Sequence, residues 1–119
     1  MISDSYIQHQ TAFAAGATTT YLQVPYRCTV RDIAGIVQGD PGDAETVTVT
    51  GGSTVAGATT ALGTLTFGTD IAAGAIGTWA ADATYGDTVL ESGYYLKFVT
   101  SAAAAAQLDL NIHLDPYAR

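Results

Sequence analysis

The sequence predicts an all-β domain, a single antiparallel β-sandwich of jelly-roll-like type with about eight short strands. Three observations carry that prediction. Apolar and polar residues alternate with period two in several short segments, most cleanly in Glu45–Thr50 (ETVTVT) and in Leu108–Leu114. Thirteen glycines break the chain at short intervals, several of them in Gly-Gly and Ala-Gly pairs. No segment shows the 3.6-residue periodicity of an amphipathic helix. The 119 residues amount to about one domain, and 48% hydrophobic content suffices for a single core.

Taken in order, Tyr6–Phe13 reads as an edge strand or a terminal arm. Ile7 and Phe13 share one face, but His9 and Thr11 lie on it too, which is poor material for a core strand. Residues 1–14 are therefore expected to form an arm or edge strand, and residues 15–119 the sandwich. Ala15-Gly16-Ala17 turns the chain into Tyr21–Gly39, YLQVPYRCTVRDIAGIVQG, which begins with Leu22 and Val24 facing inward. Pro25 ends that ladder because it has no N–H to donate. From Cys28 the chain resumes and ends in the apolar run Ile33–Val37, which predicts a strand covered on both faces in the middle of a sheet. Val30 and Ile33 stand an odd step apart, so a bulge near Arg31–Asp32 must switch the inward phase.

Gly39–Asp43 is a turn by composition. Glu45–Thr50 then places Val47 and Val49 inward with threonines outward, Gly51-Gly52-Ser53 turns, and Val55–Thr60 is a connection or weak strand. Leu62–Phe67 puts Leu65 and Phe67 on one face. A short strand is expected at about Ala75–Ala80, because the flanking glycines disfavour a helix. Asp87–Gly93 reads as a brief strand and a turn. Tyr94–Thr100 aligns Tyr94, Leu96 and Phe98, and Ala102–Ala106 is too short for a stable helix. The last strand alternates Leu108, Leu110, Ile112 and Leu114 with Asp109, Asn111 and His113.

Composition narrows function. Only 13% of residues are charged, with 4 Lys+Arg against 11 Asp+Glu and a formal charge of −7. The basic residues Arg27, Arg31, Lys97 and Arg119 are scattered, which argues against nucleic-acid binding. A Thr-, Ala- and Gly-rich surface is cheap to desolvate and suits lasting contact with other protein. One cysteine excludes an internal disulfide. No apolar run approaches the roughly 20 residues of a membrane span, and the N-terminus does not read as a secretory signal.

Candidate chemistry is sparse. His113 shares a strand face with Asp109 and Asp115, neighbouring residues on that face being about 7 Å apart along the strand, and the group could bind a metal or accept a proton. A polar, solvated strand face explains the same pattern. Asp40, Asp43 and Glu45 surround a turn without the spacing of a calcium loop, and are expected to be solvated. Cys28 lies near Arg27 and Arg31, which would lower a thiol pKa, but a small buried residue at the start of a strand is the expectation. Neither a phosphate loop, a nucleophile elbow nor a zinc motif occurs. No catalytic residue, metal, cofactor or small-molecule substrate is expected.

Aromatics say more. The chain has seven tyrosines and one tryptophan. Tyr6, Tyr21, Tyr26 and Tyr95 fall on outward or turn positions, where tyrosines favour protein contacts. Stacking on sugars, or simple half-burial on strands, stays open. With Ile7, Phe13 and Arg27 they form the set expected at a protein interface.

The segment Val24–Val30, VPYRCTV, followed by a long apolar strand, resembles the small capsid decoration (cement) proteins of tailed bacteriophages. The Glu45–Gly52 strand, the Ala/Gly-rich middle and the closing Leu108–Leu114 strand follow the same style. The resemblance implies a non-enzymatic β-sandwich on the outer surface of the virion, made in the bacterial cytoplasm. Its implied partners are the major capsid protein and copies of itself, as a homotrimer clamping neighbouring capsomers, with a terminal arm reaching the lattice. A carbohydrate- or host-surface-binding sandwich, or a tail or connector protein, is the alternative expectation.

Overall fold

The computed structural model describes residues 7–13, 19–37, 45–67, 74, 76–100 and 108–117. Eight strands follow one another: β1 (Ile7–Phe13), β2 (Thr19–Gln23), β3 (Cys28–Val37), β4 (Glu45–Gly52), β5 (Thr60–Phe67), β6 (Thr78–Ala81), β7 (Tyr95–Thr100) and β8 (Leu108–Pro116). All pairings are antiparallel. One sheet has the order β1-β8-β3, the other β2-β7-β4-β5-β6. No helix occurs among the described residues.

The order follows from one long hairpin folded back on itself. β4 pairs with β5, β2 with β7 and β1 with β8. β3 meets the residues just before β6 through the Ile36–Ile76 bridge, with the Gly77 N–H donating to the Gly35 carbonyl at 3.1 Å. Wrapping that hairpin sets β8 beside β3 and β7 beside β4, which is jelly-roll connectivity. Because β6 then pairs with β5, it seams the two sheets along one side.

Period two builds the core. Val47, Val49, Leu65, Phe67, Leu96 and Phe98 from the five-stranded sheet meet Val30, Ile33, Leu110, Ile112 and Leu114 from the three-stranded one, all at most 8% exposed. Val24, Cys28, Leu62 and Leu90 close one end of it. The phase switch between Val30 and Ile33 is a bulge: Val30 pairs with Leu114 and Asp32 with His113, so Arg31 is the extra residue. A second irregularity sits in β5, where Gly63 opposes Val49 and Ala61 opposes Thr50. It lets the adjacent Leu62 and Gly63 both lie buried.

Tyr21–Gly39 does not supply the middle of a sheet. The Pro25-Tyr26-Arg27 turn carries the chain from one sheet to the other, so β2 edges the five-stranded sheet and β3 edges the three-stranded one. The central strand of the smaller sheet is β8. The apolar residues on the outer phase of β3, Ala34 and Ile36, are only half-buried. The strand expected at about Ala75–Ala80 is Thr78–Ala81. Leu90 contributes a single bridge to Cys28. The expected turns at Ala15–Ala17 and Gly39–Asp43 and the Ala102–Ala106 run lie outside the described residues.

Candidate functional site

The two outer faces of the sandwich differ in chemistry, and strand register explains how. On the five-stranded sheet, outward residues align in rows across neighbours. Thr19, Val99, Thr48, Thr64 and Ala80 form one row, and Thr46, Thr66 and Thr78 another. Tyr21, Lys97 and Thr50 form a third. Lys97 is the one charged residue in these rows. On the three-stranded sheet, β8 presents Asp109, Asn111, His113 and Asp115, and β3 adds Arg31 and Asp32 at the bulge. One face is therefore neutral and threonine-rich, the other charged.

The charged face pairs internally. Arg31 holds Asp115 through Nη2 at 2.9 Å and Nε at 3.1 Å, a forked contact. His113 Nδ1 meets Asp32 Oδ1. Of the candidate partners on its own strand, Asp115 is held by Arg31, and the bulge delivers Asp32 from β3 to His113. Partner identity there depends on register across 81 residues of sequence. The only earlier sign of it was the odd spacing from Val30 to Ile33. Among the described residues no group of three or more His, Cys, Asp or Glu side chains is placed to hold a metal ion.

The expected interface residues do not form one patch. Tyr21 is 41% exposed on the neutral face, and Tyr95 is half-buried on the same face, with its hydroxyl 3.4 Å from Gln23 Nε2. Tyr26 is not outward: it is half-buried and packs against the core. Burial pushes its phenol pKa up, and the neighbouring Cys28 thiol adds to the rise. Arg27 sits in the same turn, 3.2 Å from Glu91 and 4.9 Å above the Tyr117 ring. Ile7 and Phe13 pair in register with Leu114 and Leu108 along β1, at the edge of the other sheet. Tyr6, Asp40 and Asp43 lie outside the described residues, and Glu45 opens β4.

The loop that follows β6 was not singled out from sequence. Asp82 Oδ1 accepts hydrogen bonds from the Thr84 and Tyr85 N–H groups, both at 2.8 Å. These bonds, from Tyr85 first and then Thr84, hold its carboxyl below the usual range. The loop and the start of β3 border an open depression of about 370 Å³, with Asp87 and Thr84 on its wall. The D-x-T-Y spacing of an Asx turn, Asp82 to Tyr85, was the legible signal.

Cys28 is fully buried, and burial pushes its thiol pKa up to about 11. The nearby arginines do not activate it: Arg27 is held by Glu91 and Arg31 by Asp115. A raised folded pKa means the native state keeps its proton after the unfolded chain has lost one. Stability is thus unaffected below pH 9.0 and falls between pH 9.0 and about 11. The slope is at most about 1.4 kcal/mol per pH unit. Urea titrations at pH 8, 9, 10 and 11 should show this decline in wild type and a shallower one in Cys28→Ala, Tyr26 supplying part of the remainder.

No family model and no curated protein matches the chain. No helix among the described residues is long and apolar enough to cross a membrane.

Proposed function

We propose that the chain is a capsid decoration protein of a tailed bacteriophage, a non-enzymatic sandwich that binds the outer face of the head. In this reading it is made in the bacterial cytoplasm, and its partners are the major capsid protein and further copies of itself. The observation that supports the reading best is the neutral outer face of the five-stranded sheet. A threonine-rich sheet surface with a single charge loses less on desolvation than a charged one, which suits lasting cover by another protein that offers its hydroxyls partners. That surface is carried on hydrogen-bonded strands, so covering it costs little backbone ordering.

The mechanism is linkage. Each copy that binds assembled shell but not dissociated subunits raises the free energy of opening by its own binding free energy. Copies that contact one another as well as the shell gain from effective concentration. The test is addition of the purified protein to heads of the cognate phage assembled without it. The expected result is saturable co-sedimentation at a fixed ratio to the major capsid protein. Failure to bind such heads overturns the reading, and so does absence of the protein from purified virions.

A further inference from the structure

β3 pairs with β8 along one side, and its other side is covered only in part. Two points pin that second side. Cys28 exchanges both backbone hydrogen bonds with Leu90, at 2.9 and 2.8 Å, and the Gly35 carbonyl accepts the Gly77 N–H. Backbone groups of an antiparallel strand alternate between its two sides, so Cys28 and Gly35 fix the phase. Val30 and, past the bulge at Arg31, Ile33 therefore also turn their N–H and C=O away from β8. No hydrogen bond from the described residues reaches these outward groups of Val30.

An unpaired stretch of edge is a template for another strand. Val30 is 8% exposed, and backbone polar groups buried to that degree nearly always have a partner. Cys28 and Gly35 lie seven residues apart, so the interval between the pins is about 20 Å of strand. The facing segment spends fourteen residues between Ile76 and Leu90, because β6 pairs with β5 and a turn follows it. The open depression of about 370 Å³ lies in this gap, with Thr29 and Val30 on one wall and the loop after β6 on the other. That loop places two carboxylates there, Asp82 and Asp87, and no basic side chain among the described residues lines the depression. The Tyr85 and Thr84 N–H groups keep Asp82 ionised at neutral pH.

We propose that this gap takes an extended peptide of a partner protein, which adds to the edge of β3 at Val30 and sets a lysine or arginine against Asp82 and Asp87. The peptide backbone supplies an acceptor for the Val30 N–H and a donor for its carbonyl, the same exchange that Cys28 makes with Leu90. A free cation or amine satisfies the carboxylates but leaves the N–H unpaired, and an anion meets two like charges. Only a chain with both a peptide group and a basic side chain answers every group on the walls. The pins at Cys28 and Gly35 limit it to a short stretch. The site lies on the seam between the sheets, apart from the threonine rows, and does not depend on what covers them.

The test titrates the whole isotope-labelled chain with the capped peptide acetyl-Val-Lys-Val-amide, up to about 10 mM because so short a contact is weak. The expected result is a saturable shift of the Val30 amide signal with a Kd of about 1 mM. Acetyl-Val-Glu-Val-amide and the fully N-methylated lysine peptide bind about tenfold more weakly or less. Asp82→Asn keeps the oxygen that accepts from Thr84 and Tyr85, so the loop stays capped. It and Asp87→Asn each weaken binding about two- to fivefold. A Val30 signal that does not move up to about 10 mM overturns the inference, and so does an N-methylated peptide that binds as well as the parent. Calcium chloride or lysine amide shifting the loop signals as strongly as the peptide overturns it too, since the depression would then be a cation site only.

Discussion

Replacing Phe98 by alanine should cost about 3–5 kcal/mol of stability, the largest loss expected of any single truncation here. Phe98 is fully buried on β7, between β2 and β4, where it lies in register with Thr20 and Val49. Its ring is one of the two largest side chains sealed in the core, the other being Phe67. Removing it forfeits the transfer free energy of the ring and leaves a cavity between two sheets. Those sheets are tied by antiparallel ladders and cannot close onto the gap. A domain of this size has only about 5–15 kcal/mol in total, so the variant sits near the edge of folding. Urea denaturation should show a lower midpoint with unchanged slope. A loss under about 1 kcal/mol would mean that the ring is not packed as described.

Gly35→Val should destabilise by about 1–3 kcal/mol although valine is the better strand former. A Cβ at position 35 would stand 2.5 Å from Leu65 Cδ2, 3.0 Å from Phe67 Cζ and 3.3 Å from Leu110 Cδ2. The backbone of β3 thus approaches β5 side chains directly. Valine must push Leu65 and Phe67 aside, and both belong to the close-packed core. Truncating the obstacle relieves the clash, so Gly35→Val combined with Leu65→Ala should cost less than the sum of the two changes. Thermal or urea midpoints of the four proteins measure this. Additive losses would show that residue 35 and Leu65 are not in contact.

Both predictions concern features that were legible to different degrees in sequence. The alternation in Glu45–Thr50, Tyr94–Thr100 and Leu108–Leu114 was enough to place β4, β7 and β8 and to orient Phe98 inward, because a half-buried strand allows one phase only. The Val30–Ile33 spacing likewise announced the bulge at Arg31. Position within a sheet was not legible. An apolar run such as Ile33–Val37 looks the same whether it is central or an edge strand sheltered by a bridge, here the Ile36–Ile76 contact. Gly35 belongs to that run. Its role appears only when β5 is laid opposite.

The candidate surfaces were less readable still. A tyrosine at a turn is ambiguous between solvent and core. Tyr26 follows Pro25 in a turn, yet it folds back onto the core because that turn crosses between sheets. Lys97 had no local signal, since its neutrality of setting is a property of rows assembled from β2, β4 and β7. Asp32 reaches His113 only through the register of β3 against β8.

The central claim is that this sandwich stabilises a shell by covering it. The most direct measurement is the temperature at which cognate heads, assembled and packaged without the protein, release their DNA before and after it is added back. The account predicts saturable binding and a release temperature that rises with occupancy until the sites are full. Heads that bind the protein yet open at an unchanged temperature, or that do not bind it at all, would contradict it.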